Sequence, residues 1–166
     1  MNRKETTKFL SELLVQERLT GRGKYYASEV SLDYGTKDVK RVDFMQFEPQ
    51  GVIDVSENEK GIFTSYEVKS CKADFNSGFG RNFVTEKNYF VMPISLYKEI
   101  ATEIRHPIGV MCPVPAGRDT HEEFENPTPL YSMGIVWNMK IIRPAYQMGR
   151  KRSMTELLLC LLRSGH

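Results

Sequence analysis

Cysteine is scarce in this sequence, and the three cysteines, Cys71, Cys112 and Cys160, are far apart. No Cys-x-x-Cys pair and no Cys/His spacing of the zinc-binding kind occurs, so neither a zinc site nor a disulfide framework is expected. Unpaired thiols are typical of a reducing compartment, so the simplest prediction is a cytoplasmic protein.

Long apolar runs are also missing. The longest, residues 157–162, is far too short to span a bilayer. The first residues, MNRKETTKFLSELL, lack the uninterrupted apolar stretch of a signal peptide. We therefore expect no membrane partner.

Charge of one sign does not dominate either, because the net charge is only +2. The last 27 residues are an exception, with six basic residues against one acid, Glu156. The six are Lys140, Arg143, Arg150, Lys151, Arg152 and Arg163. This local surplus is able to face phosphates, but it is equally typical of a solvated basic tail, and both interpretations stay open.

The chain has 166 residues, of which 40% are hydrophobic and 27% charged, as expected of a single domain over residues 1–166. Hydrophobic periodicity predicts helices over residues 5–18, 95–104 and 153–163, with Ser95 and Ser153 as caps. Strand patterns occur at residues 41–47, 62–70, 89–92 and 108–112, whereas residues 25–32 fit a strand or a helical turn.

A late hairpin is predicted over residues 134–143, with its turn at Asn138 and Met139. Residues 113–129 are rich in proline, glycine and charge, which predicts an exposed loop. Helices that alternate with strands in this order predict the α/β class, with a mixed β-sheet flanked by helices.

Two of the strand segments carry residues suited to chemistry: Asp43 lies in "RVDF", and Glu67 and Lys69 lie in "YEVKS". On a strand, Glu67 and Lys69 point to one face and Val68 points into the core. Mg²⁺ commonly takes one or two carboxylates plus waters and phosphate oxygens, so the two acids suit it. The metal would acidify a bound water, and Lys69 would orient or deprotonate that water or stabilise developing charge.

The alternative is an incidental pattern, because Glu-x-Lys is common on solvated strand faces. Asp43 and Glu67 would then be surface carboxylates paired with Arg41 or Lys69, an interaction that contributes only about 0–1 kcal/mol. The order of the motifs favours chemistry: a helix, an Asp-bearing strand, the strand with Glu67 and Lys69, and then a helix and a strand.

This order resembles the PD-(D/E)xK superfamily of restriction-endonuclease-like phosphodiesterases, with Val42 standing where the superfamily's name has proline. "EVKSCKADF", "NYFVMP", "IGVMC" and "GIVWNMKIIRPA" are similar to its MmcB-like, DNA-repair-associated branch, over roughly residues 25–163. The resemblance implies a restriction-endonuclease-like core. It also implies that Asp43, Glu67 and the Val68 carbonyl bind Mg²⁺ (or Mn²⁺).

Further residues are assigned on the same resemblance. Glu29, in "ASEVSL", matches an acidic position before the Asp-bearing strand and would bind a second metal or a metal-bound water; a plain surface carboxylate is the alternative. Lys72, downstream of the motif, is a candidate contact to nucleic-acid phosphates. Arg81, in a Gly-flanked stretch, is another, with a plain surface residue as the alternative.

The expected function is a metal-dependent nuclease that hydrolyses phosphodiester bonds in DNA, in DNA repair or in the processing of phage or mobile-element DNA. Its partner would be DNA, and a homodimer would allow two strands to be cut. One alternative is a catalytically inactive nucleic-acid-binding module on the same fold. Another is an interaction protein without nuclease activity, which would be indicated by carboxylates of Asp43 and Glu67 that lie far apart.

Overall fold

A six-stranded sheet, with its strands side by side in chain order, organises the molecule. The computed structural model describes residues 1–51 and 59–165. The strands are β1 (Tyr25–Leu32), β2 (Lys40–Glu48), β3 (Ile62–Val68), β4 (Lys87–Val91), β5 (Gly109–Pro115) and β6 (Trp137–Arg143). The three central strands, β3 to β5, run parallel, and the remaining neighbours pair antiparallel. The sheet is therefore mixed.

Helices cover both faces of this sheet. They are α1 (Arg3–Leu14), which continues as a π-helical turn (Val15–Leu19), α2 (Lys72–Asn76), α3 (Ile94–Ile100), which a 3₁₀ turn (Ala101–Glu103) follows, α4 (Thr120–Glu125) and α5 (Met154–Arg163). The predicted α/β class, with a mixed sheet flanked by helices, is confirmed. Among the described residues, no helix is long and apolar enough to cross a bilayer.

The core consists of three hydrophobic clusters. Leucines of α1 pack with residues such as Val68, Val91 and Trp137, and we call this the α1 cluster. The α5 cluster contains Val30, Met45, Phe63 and Leu157, and the α3 cluster contains Phe75, Phe90, Ile100 and Val110. Because Phe90 lies between Tyr89 and Val91 of the α1 cluster, strand alternation places the α3 cluster on the opposite face of the sheet.

Most helix and strand predictions are confirmed, and the helix ends have clear local causes. Helix α1 begins with a capping box in which the side chain of Asn2 accepts from the backbone of Glu5 and the side chain of Glu5 accepts in return. Ser153 caps α5 as predicted, by accepting from the backbone N–H of Glu156. The ambiguous residues 25–32 form β1. Ser95 does not cap α3, which begins at Ile94 after Pro93 and has no side-chain cap.

The predicted hairpin at residues 134–143 is wrong. Residues 137–143 form one strand, which pairs antiparallel with β5, so that Asn138 lies opposite Val114 and Met139 opposite Pro113. Trp137 and Met139 are both buried in the α1 cluster. This two-residue periodicity continues through the expected turn, because a whole edge of β5 is available for pairing.

The exposed loop predicted for residues 113–129 is also only partly right. Strand β5 continues to Pro115, and α4 occupies the middle of the segment. The side chain of Asp119 caps α4, and the fully buried carboxylate of Glu123 pairs with Arg118 at 3.2 Å. The proline-rich and charged composition therefore did not predict α4, a capped helix in which Glu123 pairs with Arg118.

Strand alternation is interrupted where β1 and β2 meet. Glu29 has a left-handed backbone, with φ of 55°. Ala27 and Val30 consequently belong to the same α5 cluster, and so does Val42 of the neighbouring strand. The pairing of Ser28 with Phe44 and of Val30 with Val42 places Glu29 opposite Asp43.

The α5 cluster offers a matched test of packing. Leu157 is completely buried, whereas Leu159, on the same helix, is 52% exposed. We expect Leu157→Ala to lower the free energy of unfolding by about 2–5 kcal/mol, because it leaves a cavity. Leu159→Ala should stay within about 0.5 kcal/mol of the unsubstituted protein. Equal losses in urea unfolding would contradict this placement of α5.

Candidate metal centre

Asp43 lies where the hydrogen-bond ladder between β2 and β3 ends. The last paired residues on that side are Phe44 and Tyr66. Beyond them, Oδ2 of Asp43 accepts a hydrogen bond of 2.8 Å from the backbone N–H of Val68. The carboxylate of Asp43 thus accepts from a backbone N–H of β3 that the backbone of β2 no longer reaches. Burial raises the pKa of Asp43, while this hydrogen bond and the charge of Lys69 oppose the rise.

Glu67 is the most deeply buried of the predicted site residues, with 1% exposure. Burial, and next the proximity of Asp43, raise its pKa to about 9. A side-chain hydrogen bond with Asp43 acts in the same direction. At neutral pH the metal-free Glu67 is therefore protonated, and its buried Oε1 has no hydrogen-bond partner among the residues that the structure describes.

Lys69 completes the group. Its side chain is buried, its Nζ donates to the carbonyl of Phe79 at 2.7 Å, and its charge lowers the pKa of both Asp43 and Glu67. Its backbone N–H donates to the carbonyl of Val91, which prolongs the pairing of β3 with β4. The structure therefore brings Asp43, Glu67 and Lys69 together, and it does not separate the two carboxylates as the interaction-protein alternative would require.

Val68, whose carbonyl is the third proposed ligand, has its side chain in the α1 cluster, as predicted. Its backbone N–H is engaged by Asp43. The peptide unit between Glu67 and Lys69 is therefore held on both sides, by the core and by the carboxylate.

A loop of residues 77–83, which we call the covering loop, lies directly on Glu67 and Lys69. Gly80 has a left-handed backbone, and a Cβ there would overlap Oε2 of Glu67 and lie 3.0 Å from Nζ of Lys69. Only glycine allows the backbone to approach this closely. Gly80 was not among the predicted site residues. The signal in the sequence is the pair Gly78 and Gly80 around Phe79, soon after the strand with Glu67.

Glu29 lies opposite Asp43 but is directed elsewhere. Its side chain is 56% exposed and forms an ion pair of 2.7 Å with Arg41. Its charge still raises the pKa of both Asp43 and Glu67. Arg41, the expected partner of Asp43 in the surface-pair alternative, is thus engaged by Glu29 instead.

The two predicted phosphate contacts differ in their surroundings. The Lys72 ammonium is paired with Glu99 of α3 at 2.9 Å, and the structure gives it no contact with the acids. Arg81 belongs to the covering loop, donates to the carbonyl of Phe75 at 2.9 Å, and lies 4.7 Å from the centre of the Phe75 ring.

Asp74 supports the site without having been predicted as part of it. Its Oδ2 accepts from both the backbone N–H and the hydroxyl of Ser70, each at 3.1 Å, and its Oδ1 pairs with Arg3 at 2.8 Å. These bonds hold the chain immediately after Lys69. The charge of Asp74 also raises the pKa of Asp43.

The donor set fits a hard divalent cation. Among residues 1–51 and 59–165, no group of three or more His, Cys, Asp or Glu side chains could hold a metal ion. The carboxylates of Asp43 and Glu67 are two oxygen ligands of the kind that Mg²⁺ prefers, and this ion commonly keeps several waters beside one or two carboxylates. The partnerless Oε1 of Glu67 also fits, since a cation would satisfy it and displace the proton.

Glu67 makes the stability of the metal-free protein depend on pH. Its carboxyl has a pKa of about 9 in the folded state against an ordinary 4.5, so the unfolded chain releases this proton first. The free energy of unfolding should therefore fall as pH rises between these values, by up to about 1.4 kcal/mol per pH unit for one proton. Urea unfolding with a chelator measures the slope, which Glu67→Gln should reduce. An unchanged slope in the variant would contradict this role of Glu67.

Alanine substitutions at Gly80 and Gly78 test the close approach of the covering loop. Both residues are left-handed, but a Cβ at Gly78 meets nothing within 4 Å. Each substitution should destabilise by about 1–2 kcal/mol through backbone strain. Gly80→Ala should lose about 1–3 kcal/mol more, because its methyl group collides with Glu67. Chemical denaturation with equal losses for the two variants would show that the loop does not rest on the acids.

Comparison with known proteins bears on the fold. No protein-family profile and no curated protein matches the sequence. A solved structure of a protein of unknown function from Silicibacter pomeroyi is similar, with a TM-score of 0.57 and 15% sequence identity. The match covers 97% of this chain and 84% of that one. At this identity the likeness shows the fold alone, and the α/β architecture described here is therefore shared with a solved protein.

Proposed function

We propose that the protein is a metal-dependent nuclease that hydrolyses phosphodiester bonds in DNA, with Asp43, Glu67 and Lys69 as its catalytic residues. The observation that carries the proposal is the buried Glu67 carboxyl, which lies beside Asp43 and has one oxygen without a hydrogen-bond partner in the described part of the chain. A buried ionisable group is unfavourable unless it is paired. Carboxyls with strongly raised pKa values beside a specific charge are typical of functional sites.

Asp43, Glu67 and the carbonyl of Val68 would hold the Mg²⁺ or Mn²⁺ ion. When bound, the ion polarises the scissile phosphate and acidifies a water. Glu67 would lose its proton as the ion binds, because a nearby positive charge favours the carboxylate form. The short bond from the Val68 N–H keeps Asp43 directed at the same point.

Lys69 would act on the attacking water or on the charge that develops on the phosphate. An ammonium has three donors, and Lys69 uses one for the Phe79 carbonyl. The remaining donors are available to orient or, after deprotonation, to activate water, and to stabilise the phosphorane-like transition state. Burial beside two carboxyls strengthens each of these interactions, because the local dielectric is low.

The proposal includes membership of the PD-(D/E)xK superfamily, a cytoplasmic location and a role in DNA repair or in the processing of phage or mobile-element DNA. Glu29 would join the site as a ligand for a second ion or its water, on release from Arg41. A homodimer would place two such sites on the two strands of a duplex.

A second candidate is an inactive nucleic-acid-binding module on the same fold. The observation that favours it is the covering loop, whose Gly80 backbone lies on Glu67 and whose Phe79 carbonyl occupies Lys69. In an active nuclease this loop must leave room for a phosphate. DNA binding without turnover would support the module.

Isosteric substitutions at the site distinguish the two candidates. We expect Asp43→Asn, Glu67→Gln and Lys69→Met each to lower Mg²⁺-dependent cleavage of labelled DNA at least about a hundredfold, because each removes a group that acts in the transition state. Single-stranded and duplex substrates should be tested with Mg²⁺ and with Mn²⁺.

Exposed residues of the same types provide the controls. Asp38→Asn and Lys4→Met change charge by the same amount and should cleave at the rate of the unsubstituted protein. Full activity of Glu67→Gln would refute the catalytic assignment. DNA binding by the unsubstituted protein with no cleavage in either metal would favour the inactive module.

A further inference from the structure

Phe79 is an exposed aromatic residue in the covering loop, beside the site. Its side chain is 81% exposed and belongs to none of the three hydrophobic clusters. Its own carbonyl binds Lys69, and the next residue, Gly80, touches Glu67. The backbone of Phe79 is therefore anchored at the acids while its ring faces solvent, so packing of the fold does not explain the ring.

A pocket with a volume of about 290 Å³ follows the covering loop and is rich in positive charge. We call it the basic pocket, and its polar lining residues are Lys40, Arg81, Asn82, Lys151 and Arg152. Arg152 is neutralised by ion pairs with Asp33 and Glu156. Within the part of the chain that the structure describes, no carboxylate lies within ion-pair distance of Lys40, Arg81 or Lys151.

The basic pocket is next to the acid pair. Lys40 and Asp43 are three residues apart on β2, which corresponds to about 10 Å along a strand. The side chain of Asn82 donates to the carbonyl of Arg41 at 3.1 Å, and the backbone N–H of Lys151 donates to the carbonyl of Val84 at 3.0 Å. These bonds fix both ends of the pocket against the covering loop.

We infer that Phe79 and the basic pocket bind a segment of nucleic acid whose bases are unpaired. A backbone phosphate would lie between Lys40, Arg81 and Lys151, and a base would stack on the ring of Phe79. The inference rests on the proposed function and names the substrate class of that site: a single strand, or a strand with bases freed from pairing.

The chemistry of the two features determines this class. Three cations that form no close ion pair within the described residues line one pocket and suit a phosphate. The guanidinium of Arg81 gives one donor to the Phe75 carbonyl, and its remaining planar donors suit phosphate oxygens. An exposed aromatic ring beside a basic track is typical of single-strand binding, because each unpaired base offers a face for stacking. Bases inside a duplex are already stacked and are not available to Phe79.

Fluorescence anisotropy with the full chain tests the phosphate contacts. The probes are a labelled oligothymidylate about 20 nucleotides long and a hairpin duplex of similar length, both with a chelator to prevent turnover. Lys40→Ala/Lys151→Ala should weaken oligothymidylate binding about tenfold at about 0.1 M salt and reduce the salt slope by about 1.4, because two phosphate contacts are lost.

The matched control is Lys4→Ala/Lys140→Ala, which removes the same charge from exposed lysines on α1 and β6. It should leave the salt slope unchanged. Equal losses of affinity and slope in the two double variants would overturn the pocket, because binding would then depend on overall charge alone.

Substitutions of Phe79 test the stacking. Phe79→Ala should weaken oligothymidylate binding about tenfold and leave hairpin binding unchanged, whereas Phe79→Trp should retain both. An equal effect on the two probes, or none on either, would overturn the inference. These shifts are measured without cleavage, so they survive a failure of the nuclease proposal. Conversely, cleavage that the Asp43 and Glu67 variants abolish, with no binding shift in the pocket variants, would overturn this inference alone.

Discussion

The burial of the Glu67 carboxyl against Asp43 is the constraint on which the surrounding structure depends. A carboxyl with 1% exposure is kept only if its charge is removed or compensated, and here a proton does this in the metal-free protein. The neighbouring features accommodate the pair. The β2–β3 ladder stops so that Asp43 can accept from Val68, and a glycine at position 80 lets the covering loop lie on the acids.

The sheet places this pair between two hydrophobic clusters. Phe63 and Glu67 lie on the same face of β3, and Phe63 packs in the α5 cluster, while Phe90 on the adjacent β4 packs in the α3 cluster. The α1 cluster closes the opposite face beneath Val68. The acids are therefore held by rigid strands, whereas the group that covers them is a glycine-bearing loop. This division suits the proposed metal site, in which the ligands would be fixed and the covering loop would make room for a substrate.

The net charge of +2 does not show which basic residues are free to bind a ligand, because this depends on the local partners of each one. Several members of the basic segment after residue 140 are engaged within the protein. Arg143 donates to the carbonyl of Ile104, Arg150 pairs with Glu86, and Arg152 pairs with Asp33. Lys151 alternates with these engaged arginines and reaches the basic pocket beside Arg81. Neither simple interpretation of this segment, as a phosphate-facing surface or as a solvated tail, therefore describes these three arginines.

The sequence by itself determined the α/β class, most of the strands and the side-by-side placement of Glu67 and Lys69, because two-residue alternation and helical spacing are local properties. It also predicted that Asp43 lies near Glu67 and Lys69, because the Asp43 strand precedes theirs in the chain and pairs with it. The tertiary structure alone decided that Glu67 is buried, that Glu29 pairs with Arg41, and that Gly80 touches Glu67. It likewise decided that residues 137–143 form one strand, because the free edge of β5 selects that pairing. These features depend on contacts between residues distant in the chain. The local periodicity of a sequence does not predict such contacts.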